Sequence, residues 1–280
     1  MERKCVQTRD GVTLSYLTGG RGPAVLLMGG WSQAATLFDR QFRDFAQTHT
    51  VYALDNRGHG DSQKPSDGYR IQRMAKDLLD VVEALGLTEF DIVAHSLSVA
   101  IVWAYLDMFG TTNPPRRLIF IDQPAALLAR PSWTQKQISQ AGAVISSLET
   151  LDDLLTRIRA TDTIEDHLSI IRSMFTAKVG NADLQKLATE NLKLPREYAA
   201  ALIENNIVQD WRSFLPNISQ TTLVFAGAGS IHPLASQEFI ANCIPQAALE
   251  VVSEEDGGSH FLMFENPALF NEKALRFLNH

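Results

Sequence analysis

The chain has 280 residues, of which 45% are hydrophobic and 20% charged, and its formal net charge is −7. This is the composition of a globular protein that can bury a substantial core, with room for one inserted subdomain. The acidic balance comes without a Lys/Arg run, so we expect no nucleic-acid partner. Because neither a signal peptide nor a membrane-spanning stretch is visible, we also expect a cytoplasmic protein with no membrane partner.

The predicted elements begin with a hairpin, at residues 4–8 and 12–17, around an Asp-Gly turn, followed by a glycine-rich turn at 19–23. Continuous apolar runs, typical of strands buried on both faces, follow at 24–28, 51–54, 90–94 and 118–121. Helical patterns separate them, the clearest at 69–85 and another starting at Ser96.

From 124 to 216 the pattern is helical, with segments at 147–159, 164–176 and 196–205 and no convincing strand between them. Alternation then returns, with strands at 222–226 and 248–252 and helices at 237–241 and 267–278. We therefore predict an α/β fold in which residues 1–123 and 217–280 form the core and 124–216 an inserted helical cap. The core should contain a mostly parallel eight-stranded sheet with helices on both faces.

The candidate nucleophile is Ser96, which follows an apolar strand and opens a helix. A nucleophile elbow needs this arrangement, because a strained strand-to-helix turn holds the hydroxyl clear of the sheet and only small residues fit at its flanks. Ala94 and Ser98 stand at those flanks, where glycine is usual. Taken alone, the same serine also fits a helix N-cap.

His260 favours the catalytic interpretation of Ser96. It lies in a Gly-Gly-Ser-His-Phe stretch after the last predicted strand and just before the terminal helix. A histidine at that edge of a parallel sheet can take the proton from a serine at the end of a neighbouring strand. Ser96 and His260 together therefore predict nucleophilic catalysis.

The glycines at 29 and 30 indicate how an oxyanion would be stabilised. Small residues let the backbone turn sharply after a strand, so the amide N–H groups of Trp31 and Leu97 can point at the oxygen of a tetrahedral intermediate. A glycine turn followed by a core tryptophan remains an alternative interpretation of this motif.

Four motifs in this order resemble the α/β-hydrolase superfamily: Gly-Gly-Trp at 29–31, Arg-Gly-His-Gly-Asp-Ser at 57–62, His-Ser-Leu-Ser at 95–98 and Gly-Ser-His at 258–260. The similarity is greatest to small esterases, cofactor-free haloperoxidases and lactone-opening hydrolases. It implies a serine hydrolase with a catalytic triad, whereas the Arg-Gly-His-Gly-x-Ser stretch is mainly structural in that superfamily.

The acid of the triad is where this sequence departs from the superfamily. The resemblance implies a Gly-x-x-Asp after the seventh strand, but Ser230 stands in the place of the aspartate. Some members carry the acid at the end of the sixth strand instead, and Asp122 occupies that position. From there a carboxylate can hold Nδ1 of His260, although Asp122 also fits a residue that caps the turn into the cap.

Three functions remain open on these residues. Ser96, His260 and Asp122 predict an ester or lactone hydrolase acting on a moderately hydrophobic small molecule. The position of Asp122, and a histidine before the serine, also resemble cofactor-free dioxygenases, in which a His-Asp pair deprotonates a hydroxylated heteroaromatic. A small-molecule receptor on the same fold is the third.

The sequence also predicts which residues contact the substrate. They are Gly30, His95, Trp133, Phe175 and Phe261, although aromatic residues at helical spacing in the cap often form its own core. No cofactor is implied, because the early glycine cluster leads into a strand and so fails as a phosphate loop. No metal-ligand spacing is visible either.

Overall fold

The computed structural model describes residues 1–110 and 112–279. Eight strands form one sheet in the order β1-β2-β4-β3-β5-β6-β7-β8. The strands are β1 Glu2–Gln7, β2 Thr13–Gly20, β3 Ala24–Met28, β4 Thr50–Leu54, β5 Phe90–His95, β6 Arg117–Ile121, β7 Thr221–Gly227 and β8 Ala247–Val252. β2 pairs antiparallel with β1 and β4, and the remaining neighbours are parallel. The predicted fold class, a mostly parallel eight-stranded sheet, is confirmed.

The α-helices of the described residues are α1 Asp39–Phe45, α2 Ile71–Ala84, α3 Leu97–Phe109, α4 Gln135–Ala141, α5 Leu148–Arg159, α6 Ile164–Ile171, α7 Asn181–Asn191, α8 Arg196–Ile207, α9 Leu234–Cys243, α10 Leu262–Glu265 and α11 Pro267–Asn279. Helices α4 to α8 all lie between β6 and β7 in the chain, within the stretch predicted as a cap. None of the described helices is long and apolar enough to cross a membrane.

Burial explains why these sequences adopt these elements. Every residue of β5 is buried, as its continuous apolar run predicts for a central parallel strand. Helix α2 buries Ile71, Met74 and Leu78, which follow one another at helical spacing, and packs against α3. Because α3 is covered by both α2 and α8, all of its residues from Leu97 to Tyr105 are buried. The sheet and its covering helices thus hold the ends of β5 to β8 rigidly.

The structure differs from the predicted elements in two places. β2 continues through Gly20, where the sequence predicts a turn, because that glycine adopts a φ of 85° under the carbonyls of Ala46 and His49. In the stretch predicted as a cap, α6 ends at Ile171 rather than continuing to residue 176, and neither α4 nor α7 was among the predicted helices. The mixed polarity of α7 leaves little periodic signal in its sequence.

Candidate active site

The turn between β5 and α3 presents Ser96. Its backbone φ is 52°, a value that side chains rarely adopt, and its N–H donates to the carbonyl of Ile121 over 2.8 Å. The flanking His95 and Leu97 are buried, whereas Ser96 is partly exposed to the cavity described below. This strained turn, fastened to the end of β6, holds the hydroxyl clear of the sheet as a nucleophile elbow requires.

Ser98, which stands where glycine is usual, connects the elbow to the loop after β3. Its hydroxyl donates to the carbonyl of Gly29 over 2.5 Å and accepts from the amide of Asn56 over 2.9 Å. All three groups belong to different segments that meet at the nucleophile. The departure from glycine therefore adds a fixed link between the elbow and the glycine loop.

The glycine loop lies directly against Ser96. A Cβ added to Gly30 would come within 2.8 Å of the Ser96 Cβ, so only glycine allows this approach. Across residues 1–110 and 112–279, the backbone N–H groups of Trp31 and Leu97 have no hydrogen-bond acceptor. The indole of Trp31 is held by a 2.8 Å hydrogen bond to the carbonyl of Ala199 on α8. Two free donors thus flank the nucleophile, as an oxyanion hole requires.

Asp122 and His260 are in direct contact. Nδ1 of His260 donates to Oδ2 of Asp122 over 2.6 Å, and both side chains are buried. The Ser230 hydroxyl donates to the same carboxylate oxygen over 2.5 Å. Asp122 has a φ of 52°, and its N–H donates to the carbonyl of Phe225 on β7. Asp122 and Ser96 are two of the three non-glycine residues with positive φ in the described chain, and Ser32 beside Trp31 is the third. Backbone strain of this kind concentrates at functional sites.

Burial sets the charges of the site. It raises the pKa of Asp122 to about 6, although the nearby His232 and the Ser230 hydroxyl oppose that rise. Burial lowers the pKa values of His260 and His232 to about 3 and holds the pKa of His95 well below its usual value. At neutral pH the carboxylate is therefore ionised and the three imidazoles are neutral. This is the resting state of a histidine that acts as a general base beside an orienting carboxylate.

Ser96 and His260 line the same cavity, which has a volume of about 180 Å³. Its wall on the cap side is aliphatic and includes Leu154 and Ile158 of α5, Ile170 of α6 and Ile203 of α8. No charged side chain of the described residues is part of its lining. Within the described residues the Ser96 hydroxyl forms no hydrogen bond, which leaves it available to a molecule in the cavity. The cavity suits an uncharged, partly aliphatic molecule.

The family of the chain follows from a comparison with known sequences. A family profile described as the alpha/beta hydrolase fold matches residues 23–267, nearly the whole chain. This chain belongs to the α/β-hydrolase family. The predicted family is thereby confirmed.

Individual relatives are distant from this α/β hydrolase. The soluble epoxide hydrolase of Corynebacterium sp. is 35% identical over 98 residues, 34% of each chain. Among solved structures, an esterase from Exiguobacterium antarcticum has a TM-score of 0.88 at 21% identity and covers 99% of both chains. The enol-lactonase from Burkholderia xenovorans has a TM-score of 0.83 at 18% identity, covering 99% of this chain and 100% of its own. At these identities, the two structural matches show the fold alone.

The predicted substrate contacts of this α/β hydrolase divide into two groups. His95 and Phe261 line the cavity, and Gly30 lies against the nucleophile. Phe175 stacks on the far side of Phe261, with ring centroids 4.3 Å apart, and so supports the wall from behind. Trp133 is not brought to the cavity: Arg212 lies 4.0 Å from its ring centroid, in a small cluster within the cap. Its role as a substrate contact stays a prediction: in the described residues the indole packs between cap segments and is not part of the cavity lining.

Two residues of the site were missed by sequence reasoning. Ser230 was noted only because it stands where the superfamily usually has an aspartate. Its hydroxyl donates a hydrogen bond to Asp122, the predicted acid at the end of β6. His232, two residues later, is buried and lines the cavity, with its ring centroid 5.1 Å from that of His260. Ligand atoms of Asp122, His232 and His260 lie within 4.8 Å of one another, an arrangement able to hold a metal ion. More than 100 residues separate Asp122 from the two histidines, so no short sequence motif could predict this group.

Proposed function

We propose that this α/β hydrolase is a serine esterase or lactonase that acts on an uncharged, moderately hydrophobic small molecule. The observation that carries the proposal is the 2.6 Å contact between His260 and Asp122 beside Ser96 on a strained elbow. The family supports hydrolysis as the reaction class, and the esterase and enol-lactonase folds are similar throughout. The cytoplasmic location and the absence of membrane and nucleic-acid partners stay predictions.

The reaction begins when Ser96 Oγ attacks the carbonyl carbon of the ester and its proton moves to Nε2 of His260. The resulting oxyanion accepts hydrogen bonds from the N–H groups of Trp31 and Leu97. Asp122 stays ionised, holds the Nδ1 hydrogen and stabilises the imidazolium.

The tetrahedral intermediate collapses when His260 returns the proton to the leaving oxygen, which departs as the alcohol. An acyl-serine remains on Ser96. A water molecule then attacks its carbonyl carbon with His260 again acting as the base, and the acid is released. A lactone follows the same steps, except that the alcohol and the acid stay in one molecule.

A fluorophosphonate probe tests the nucleophile directly. We expect labelling of one serine per chain, located at Ser96 by peptide mass spectrometry, together with hydrolysis of short-chain aryl esters. Both should be lost in Ser96→Ala. They should persist in the control Ser169→Ala, which removes an exposed hydroxyl on α6. A folded protein that neither labels nor hydrolyses these esters would contradict the proposal.

The same variants separate hydrolysis from the two other functions expected from the sequence. If His260 and Asp122 deprotonate a hydroxylated heteroaromatic for reaction with oxygen, Ser96→Ala should slow oxygen consumption only moderately. A receptor would bind such molecules without consuming them. We favour hydrolysis because the chain belongs to a hydrolase family, and because the N–H donors of Trp31 and Leu97, which have no acceptor in the described residues, can stabilise the oxyanion of a serine adduct.

A further inference from the structure

Three polar side chains converge where three parallel strands end. Asp122 directly follows β6, His232 lies on the loop after β7, and His260 lies on the loop after β8. Since β6, β7 and β8 are neighbours in that order, their carboxyl ends meet at one edge of the sheet. The triad accounts for Asp122 and His260 but gives no role to His232.

Two atoms of this group are buried and have no hydrogen-bond partner among residues 1–110 and 112–279: Oδ1 of Asp122 and Nδ1 of His232. The side chain of His232 is only 7% exposed, and Asp122 is completely buried. Leaving a polar atom in this state is unfavourable, and native proteins therefore give most such atoms a partner. Two unpartnered atoms that can each offer a lone pair, one at the end of β6 and one on the loop after β7, make this group a candidate site for a cation.

The donor set identifies the class of ion. Two imidazoles and one carboxylate are the ligands that Zn²⁺ and similar divalent transition metals prefer. Mg²⁺ and Ca²⁺ take sets of oxygen ligands instead. Because His232 and His260 both line the cavity, an ion can reach them from its open side.

We propose that Asp122, His232 and His260 form a site for one divalent transition-metal ion, and that the bound ion inhibits the hydrolase. The ion inhibits the enzyme whichever nitrogen of His260 binds it. At Nε2 the ion occupies the lone pair that must accept the serine proton. At Nδ1 it leaves the ring hydrogen on Nε2, so that this nitrogen is no longer a base. The binding stands on the geometry alone, whereas the inhibition rests on the proposed esterase function.

Binding is tested without turnover by titrating the chelator-stripped protein with Co²⁺, whose visible absorption intensifies in a site with nitrogen ligands. We expect saturation at one ion per chain and displacement by Zn²⁺ but not by Mg²⁺. His232→Gln should weaken binding by about tenfold or more, since even the loss of an outer contact to a ligand can cost that much. Asp122→Asn should weaken it as well. The matched control is Ile231→Ala, which changes a neighbour that lines the same cavity and has no ligand atom.

Inhibition is tested with Zn²⁺ on the hydrolysis of an aryl ester. We expect saturable inhibition in the wild type and Ile231→Ala, reversal by a chelator, and a weakening in His232→Gln that parallels the loss of Co²⁺ binding. The absence of saturable Co²⁺ binding, or equal binding in wild type and His232→Gln, would overturn the metal site. Binding that depends on His232, in a protein that hydrolyses no ester, would support the site and overturn only the proposed esterase.

Discussion

The hydroxyl of Ser230 makes the contact whose removal is most informative. It donates to the same oxygen of Asp122 that accepts from His260, so Ser230→Ala removes one of the two side-chain donors to a buried carboxylate. A hydrogen bond to a charged group contributes about 1.5–3 kcal/mol, and one pKa unit corresponds to about 1.4 kcal/mol. The pKa of Asp122, about 6 in the wild type, should therefore rise by about one to two units.

The sign of this shift gives the expected pH dependence. The proposed triad requires an ionised Asp122, and a higher pKa of Asp122 leaves less of the carboxylate ionised at neutral pH. At about pH 7 the variant should therefore lose roughly two- to tenfold in kcat/KM, and at about pH 9 it should recover to near the wild-type value. A purely structural role for Ser230 predicts a loss that does not depend on pH.

The assay is kcat/KM for a soluble aryl ester across that pH range, with a chelator present and with the folded fraction checked by circular dichroism. Ser236→Ala is the matched control, because it removes a hydroxyl near the same loop that donates to the carbonyl of Pro233 instead. In this control, the fall of kcat/KM at low pH should coincide with that of the wild type. An unchanged profile in Ser230→Ala, or an equal loss at every pH, would refute the role assigned to Ser230.

Three further predictions follow from the site and its surroundings. Asp122→Asn should lower kcat by roughly 10⁴ without unfolding the protein, because the amide favours the wrong tautomer of the base; steady-state kinetics showing a loss under tenfold would contradict the triad. Ser98→Ala should lower the free energy of unfolding by about 1–3 kcal/mol in urea, since it removes two buried hydrogen bonds, and an unchanged midpoint would contradict this. Burial lowers the pKa values of His59 and His167 to about 4, so the unfolded chain binds their protons first as the pH falls below about 6.5. Each histidine should then lower the free energy of unfolding by about 2 kcal/mol at pH 5, whereas Asp122, whose pKa is raised, contributes in the opposite direction. The urea midpoint of unfolding should therefore decrease when the pH is lowered from 7 to 5, and an unchanged midpoint would contradict this prediction.

The parts of the site that the sequence predicts are those with a local signal. Ser96 lies between an apolar strand and a helix, and His260 lies between the last strand and the terminal helix, so each has its structural context in adjacent residues. Asp122 was predicted from the resemblance, because it ends the apolar run of the sixth strand, where some members of the superfamily carry the acid. In each case the residue follows a strand of a parallel sheet, so its place in the sequence predicts that it lies at the carboxyl edge of the sheet.

Trp133 shows where that reasoning stops. A tryptophan in a helical cap has the same sequence signature whether it faces the pocket or packs between cap segments. The orientation of Trp133 depends on Arg212, whose guanidinium packs against the face of the indole. Arg212 lies 79 residues further along the chain. Only the packing of the cap helices brings the two together, and periodicity within one helix does not contain that information.

The position of the acid explains why the loop after β7 has an unusual composition. With the carboxylate at the end of β6, the adjacent loop no longer has to supply it, but it still faces the buried Asp122. A second carboxylate there would repel the first at close range in a medium of low dielectric constant, whereas a hydroxyl or a neutral imidazole does not. Ser230 meets this requirement by donating to Asp122, and His232 meets it with a ring that burial keeps uncharged. In the proposed triad the acid therefore lies one strand away from its usual position in the superfamily, and His232 lies beside it as a third potential metal ligand.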